Sequence, residues 1–184
     1  CSISPLTNGV ANHPLITLFT NAQIKSVGGS MGNYEVEIEI KPRYVKDNCT
    51  SCGECANSCP VEVPSEWDMG MSIRNAIYKL YPQAIPATYV RDKNSCIECN
   101  ICVNICPVQA IDFSMKSETK TIKVGSIVVA VGYDEYNPVE IEPYHYGKQG
   151  YENVITQLQL ERMMSPTSLT GSEVLRPSDG KIPK

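Results

Sequence analysis

Two runs of four cysteines, built to one pattern, constrain this chain more than any other feature. The first is Cys49-x2-Cys52-x2-Cys55-x3-Cys59, followed by Pro60, and the second is Cys96-x2-Cys99-x2-Cys102-x3-Cys106, followed by Pro107. Soft thiolates at this density suit iron–sulfur clusters, whose compact cubane cores take four sulfur ligands. Three cysteines at steps of three can wrap one loop around three corners of such a core. The fourth lies farther along, ahead of a proline that directs the chain away. Zinc sites favour C-x2-C pairs with longer spacers and often histidine, and neither run contains a histidine. The cysteine total of nine is odd and no signal peptide is visible, which argues against a disulfide framework.

The spacing resembles that of bacterial two-cluster ferredoxins, in which the fourth cysteine of each run ligates the other run's cluster. The resemblance implies cluster one on Cys49, Cys52, Cys55 and Cys106, and cluster two on Cys96, Cys99, Cys102 and Cys59. Each run then depends on its partner for folding, and two redox centres lie side by side. The flanks repeat as well: Tyr44-Val45-Lys46-Asp47 precedes the first run and Tyr89-Val90-Arg91-Asp92 the second, with Pro60-Val61 and Pro107-Val108 after them. Each half reads as a short strand, a cluster loop and a short helix. Ile97, Ile101, Val103, Ile105 and Ile111 are expected to form a dry shell around the sulfurs, serving also as ordinary core. Backbone N–H groups near Gly53 and Ile97 are expected to hydrogen-bond them.

The composition narrows the setting. Sixteen basic and 20 acidic residues give a formal charge of −4, which excludes a broad basic footprint for nucleic acid. No apolar run approaches the length of a membrane span, so a soluble, cytoplasmic protein is expected. The chain starts at Cys1 and ends in Arg176-Pro177-Ser178-Asp179-Gly180-Lys181-Ile182-Pro183-Lys184, which reads as a piece of a larger protein.

Outside the cysteine runs the pattern is mixed α and β. Leu15 to Thr20 reads as a strand-like run and Gly28 to Asn33 as a turn. From Tyr34 to Ile40, Tyr34, Val36, Ile38 and Ile40 alternate with Glu35, Glu37 and Glu39, the mark of a half-buried antiparallel strand. Between the runs, Ser65 is a candidate cap and Arg74 to Leu80 continues a helical pattern, predicting a helix over the clusters. Ile127 to Val131 reads as a fully buried strand ended by Gly132. Thr156-x-x-Gln159 is a capping box opening a helix through Met164, with Leu158, Leu160, Met163 and Met164 as packing residues. His13 and His145 lack a second ligand at metal spacing and read as structural.

Two further resemblances extend across the chain. Val129-Ala130-Val131-Gly132-Tyr133-Asp134 resembles the Ala-Thr-Gly segment of two-dinucleotide-binding flavoproteins, with Val131 in place of the threonine. There the segment follows a β-meander and brings backbone near the flavin nucleotide, which implies FAD contacts at Ala130 and Gly132 in the full-length protein. The whole combination is similar to the A-subunit family of heterodisulfide reductases. The matching features are Ala11-Asn12-His13-Pro14, Gly32-Asn33-Tyr34, both cysteine runs, Glu66-Trp67-Asp68-Met69-Gly70, Gly132-Tyr133-Asp134, Asn153-Val154-Ile155-Thr156 and Arg176-Pro177-Ser178-Asp179-Gly180-Lys181. No G-x-G-x-x-G loop is present, so the main pyrophosphate site of such flavoproteins is absent from this chain.

That resemblance implies an α+β architecture. A two-cluster ferredoxin-like domain (44–113) is inserted into part of a flavoprotein β-meander and Rossmann-type FAD/NAD-binding domain (1–43 and 114–184). It implies two 4Fe–4S clusters, with FAD in the full-length protein. The implied role is electron relay in an electron-bifurcating oxidoreductase that reduces the CoM-S-S-CoB heterodisulfide and ferredoxin. The implied partners are other heterodisulfide reductase subunits, a hydrogenase or formate dehydrogenase module, and ferredoxin. The segment itself has no acid–base pair or nucleophile. The alternatives are a stand-alone two-cluster electron carrier and a related component of a different oxidoreductase complex. Cys1 resembles a family cysteine that helps hold a further cluster, and a plain free thiol is the other reading.

Overall fold

The computed structural model describes residues 3–184; the reading of Cys1 therefore lies outside the described residues. In chain order the elements are α1 (Ile3–Ala11), β1 (Ala22–Ser30), β2 (Asn33–Ile40), α2 (Glu54–Asn57), β3 (Glu62–Pro64), β4 (Ile73–Asn75), β5 (Ile77–Tyr78), β6 (Val90–Arg91), α3 (Ile101–Ile105), β7 (Glu118–Val124), two single-turn 3-10 helices and α4 (Gln157–Met164). They fall into two compact units. One takes the chain up to Val63 and again from Asn75 to Val129; the other takes Pro64–Arg74 and Ala130–Lys184.

The first unit begins with a three-stranded antiparallel sheet in the order β1-β2-β7. The alternation in β2 turns Val36 and Ile38 inward, at 5% and 8% exposure, with glutamates on the other face. Val36 lies between Val27 of β1 and Ile122 of β7, so three β-branched side chains meet across the sheet. β1 runs through Gly28 and Gly29 to Ser30, longer than the predicted turn allows; only Met31 and Gly32 turn, between the paired Ser30 and Asn33. Gly32 takes φ 83° there, a backbone conformation suited to glycine in a tight hairpin. Leu15 to Thr20 is irregular instead of a strand. Leu15 is 88% exposed, and none of the sheets includes this stretch, so its apolar character alone does not make it a strand.

The chain leaves this sheet at Ile40 and re-enters it at Glu118, and those two residues pair directly. The ends of the 41–117 excursion are therefore neighbours. Inside the excursion the core is Val45, Cys55, Ile77, Cys102, Ala110 and Ile111, with Tyr89, Val103, Val108 and Phe113 packed against it. A bridge between Val45 and Ile111 and the bond from Lys46 N–H to the Ala110 carbonyl close it. Ile97, Ile101 and Ile105 stand at 66%, 42% and 41% exposure, so of the predicted dry shell only Val103 and Ile111 turn inward. The short helices fall inside the cysteine runs instead of after them.

The predicted helix between the runs does not form. Ile73–Asn75 and Ile77–Tyr78 are strands, and Ile77 and Tyr78 pair with Arg91 and Val90. Met69 and Gly70 both take positive φ, at 54° and 77°, which breaks a helical path. Strand pairing with residues a dozen positions later outweighs a weak local helical periodicity. Ser65 caps nothing; its N–H donates to the Ser72 carbonyl.

In the second unit the capping box forms as the spacing predicts. Thr156 Oγ1 accepts from the Gln159 N–H, and Gln159 Oε1 accepts from the Thr156 N–H. Met163 is buried, whereas Met164 is 58% exposed and packs little. Ile127 to Val131 is not a buried strand: Val128, Val129 and Val131 are 90%, 75% and 88% exposed. The pairing of β7 with β2 ends at Val124, and no strand of the described residues continues beside 127–131. Ala130 and Gly132 are exposed with it. His145 stacks on Tyr151 at 4.4 Å between centroids, and His13 Nδ1 accepts from the Leu15 N–H.

Candidate metal centre

The two cysteine runs share one backbone scheme. Ser51 and Gly53 take φ 58° and 94° in the first, and Glu98 and Asn100, at the same offsets, take 55° and 62° in the second. Each left-handed residue turns the chain sharply between successive cysteines, which winds them around a common volume. Gly53 and Asn100 then start α2 and α3. These place Cys55 and Cys102 in the first turn of their helices, both buried at 8% exposure.

A small cavity in the first unit is lined by Cys49, Cys52 and Cys55 of the first run and by Cys106 of the second, with Val45, Tyr89, Val108, Ala110 and Ile111 around them. Cys102 lies within electrostatic reach of Cys96, Cys99 and Cys59. The fold thus brings each run's first three cysteines near the other's fourth. Cys52 and Cys99 are the exposed members, and none of the eight described cysteines is in a disulfide.

Backbone donors reach the sulfurs at equivalent places. The Ser51 N–H donates to Cys49 Sγ and the Glu98 N–H to Cys96 Sγ, each at 3.4 Å. The Ala110 N–H donates to Cys106 Sγ at 3.3 Å. Ser51 lies two residues from Gly53 and Glu98 adjoins Ile97, so these two donors fall where the sequence places them, while Ala110 is an addition. Burial pushes the Cys55 thiol up to about 12, opposed by a backbone hydrogen bond from Ala56 and reinforced by Cys49, Cys102 and Cys52. Burial, then the charge of Cys96, also raises Cys102. Ligation must therefore displace protons that these thiols hold tightly.

The donor set fits an iron–sulfur cluster on two counts. Four soft sulfurs face a dry, apolar wall, and backbone N–H groups of Ser51, Ala56, Glu98, Val103 and Ala110 already point at cysteine sulfurs of both runs. Among the described residues, no three His, Cys, Asp or Glu side chains close on one point as a single ion requires.

Sequence reasoning misses Arg91, which enters there only as part of a repeated flank. Its side chain is 2% exposed and pairs at 2.5 Å with Glu98, between Cys96 and Cys99. The guanidinium lies 3.8 Å over the Phe113 ring and 5.1 Å from that of Tyr44. Its Nε is buried with no hydrogen-bond partner. The available signal is arginine, not lysine, in the second flank, since Arg tolerates burial on aromatic faces better than Lys.

Residues 48–111 match the model of a family described as a 4Fe–4S dicluster domain, and residues 95–141 match a second model of that description. Nearly the whole chain is similar to part of several curated proteins. One is an iron–sulfur A subunit of the CoB–CoM heterodisulfide reductase of Methanopyrus kandleri. The two are 54% identical over 184 residues, covering 98% of this chain and 27% of that protein. Another is the A subunit of the H2/formate:CoB–CoM heterodisulfide,ferredoxin reductase of Methanococcus maripaludis. Here the identity is 51% over 183 residues, covering 99% of this chain and 28% of that protein. The corresponding iron–sulfur protein of Methanocaldococcus jannaschii is 50% identical over 182 residues, 98% of this chain and 27% of its own length. The chain therefore spans just over a quarter of the length of these relatives.

Proposed function

Since residues 48–111 are a 4Fe–4S dicluster domain, in a chain homologous to a segment of the heterodisulfide reductase A subunits, we propose that this segment relays electrons between two 4Fe–4S clusters. In this reading Cys49, Cys52, Cys55 and Cys106 hold cluster one, and Cys96, Cys99, Cys102 and Cys59 hold cluster two. The observation that carries it is the shared cavity wall of Cys49, Cys52, Cys55 and Cys106.

Cubane clusters supply one-electron transfer with little structural rearrangement. The chain's own residues do the rest. Val45, Tyr89, Ala110 and Ile111 exclude water from the first site. The N–H groups of Ser51, Glu98 and Ala110 stabilise negative charge on sulfur. Bond-making chemistry lies outside this segment, in the host protein or its partners.

The larger setting follows from the relatives. Their names specify reduction of a CoB–CoM heterodisulfide and, in some, of ferredoxin with H2 or formate. The proposed partners are accordingly other heterodisulfide reductase subunits, a hydrogenase or formate dehydrogenase module, and ferredoxin, in a complex that splits electron pairs at a flavin. FAD in the full-length protein is assigned to the neighbourhood of Ala130 and Gly132, which are small, exposed and open to close backbone approach. No helix among the described residues is long and apolar enough to cross a membrane.

The test is iron and sulfide analysis with EPR on anaerobically purified protein. About eight of each per chain are expected from two cubanes. Cys59→Ala should damage the cluster held mainly by the second run, and Cys106→Ala the other. Loss of the first-run signal in Cys59→Ala, with the second intact, contradicts the crossed ligand sets.

A further inference from the structure

The duplication that places eight thiols symmetrically leaves their surroundings unequal. Lys46 and Arg91 occupy equivalent places, in Tyr44-Val45-Lys46-Asp47 and Tyr89-Val90-Arg91-Asp92. The Lys46 side chain is 50% exposed and sits 3.7 Å from Asp112. Arg91 is 2% exposed, held by strand pairing with Ile77 and wedged on Phe113. One half therefore carries a solvated cation and the other a buried one.

We propose that Arg91 is a positioning residue that raises the reduction potential of the centre held by Cys96, Cys99, Cys102 and Cys59 above that of its twin. The proposal rests on the two-cluster reading above. Glu98, the residue that pairs with Arg91, also donates its own N–H to Cys96 Sγ. Arg91 thus grips the loop that presents the sulfur. Its countercharge does not cancel it: the Glu98 side chain is 63% exposed and is screened by water, whereas the Arg91 charge is not. The buried Arg91 Nε, without a partner, is a further donor in this wall, and an unpaired buried donor is costly unless something nearby accepts from it. Positive charge and donors near the sulfurs both favour the reduced, more negative cluster. Arginine is protonated at any accessible pH, so the buried cation persists. Electrons would then run downhill from the first-run centre to the second.

The experiment is an EPR-monitored redox titration of the anaerobically purified protein in its native complex. The second-run signal is identified as the one lost in Cys96→Ala. Arg91→Gln is expected to shift that signal to lower potential, with roughly a tenfold fall in its reduced-to-oxidised ratio at fixed poise, equivalent to about 59 mV. Arg91→Lys should keep most of the wild-type value. Glu98→Gln should shift the signal the opposite way, and the first-run signal should stay put in all three. A purely structural role predicts shifts of the same sign, or none, in Arg91→Gln and Glu98→Gln, and either result overturns the proposal. Should Arg91→Gln lose its cluster, Glu98→Gln decides alone: no upward shift overturns the assignment. Iron and sulfide analysis of the same wild-type sample separates the two levels. Missing cubane iron would sink the cluster reading, whereas full clusters with unmoved potentials would sink only the role of Arg91.

Discussion

The Arg162 guanidinium donates two hydrogen bonds, at 2.8 and 3.1 Å, to a single oxygen of Asp68, 94 residues earlier in the chain. Both side chains are largely buried, at 8% and 19% exposure. The other Asp68 oxygen accepts from the Ser72 hydroxyl at 2.6 Å, and Arg162 lies 4.8 Å over the Trp67 ring. This one ion pair joins the Pro64–Arg74 stretch to α4 and is the polar centre of the second unit.

Asp68→Ala should therefore be costly. It leaves a buried guanidinium without its counter-ion, an error of about 3–5 kcal/mol for such pairs. Replacing both partners together, as Asp68→Leu with Arg162→Met, should recover much of that loss. Denaturant unfolding of the two variants checks the sign and the order; equal losses in both would contradict it.

Val45 is the one large side chain of the described residues buried to below 2%. It packs among Cys55, Ala110 and Ile111. Val45→Ala should destabilise the first unit by about 1–3 kcal/mol, transfer and cavity effects combined. Because Val45 also lines the cavity at Cys49 and Cys106, oxygen should bleach the first-run signal faster. Absorbance decay in air measures this against wild type.

Gly29 should not tolerate a side chain. It takes φ 90°, and a Cβ there would sit 2.2 Å from the Asn33 carbonyl oxygen. Gly29→Ala should loosen the β1–β2 hairpin by roughly 1–3 kcal/mol of backbone strain. Faster hydrogen exchange confined to residues 22–40 is the expected signature. Gly28→Ala, with open space around it, is the control and should change little.

The Lys25 ammonium, 2.6 Å from Glu39 across the hairpin, holds the Glu39 carboxyl below the usual carboxylate value by hydrogen bonding. A folded pKa below the unfolded one means that the pair contributes stability above the unfolded pKa. That contribution disappears as pH falls through the lowered, folded value. The pair is exposed, so the effect is small and salt-sensitive. Lys25→Met should raise the Glu39 midpoint, read by carboxyl-carbon NMR titration; an unchanged midpoint would assign the shift to another source.

The elements that read most clearly from sequence are those with strict local patterns. The alternation in β2 and the Thr156/Gln159 cap each involve a few consecutive residues, so local chemistry decides them. Ile73–Tyr78 and Ile127–Val131 both carry apolar residues, and each took a form other than the one predicted. The first found strand partners in Val90–Arg91; the second has none among the described residues. Apolar composition reports that a segment seeks cover, not what covers it.

The spacing of eight cysteines was enough to specify soft-ligand metal chemistry, because steps of three and a left-handed turn between them are local properties of the backbone. The neighbours of each thiol were another matter. Cys106 beside Cys49, Arg91 sealed against Phe113 while Lys46 stays wet, and Arg162 on Asp68 all join residues distant in the chain. Such contacts exist only once burial has removed water from between them, and that removal is a cooperative property of the packed fold.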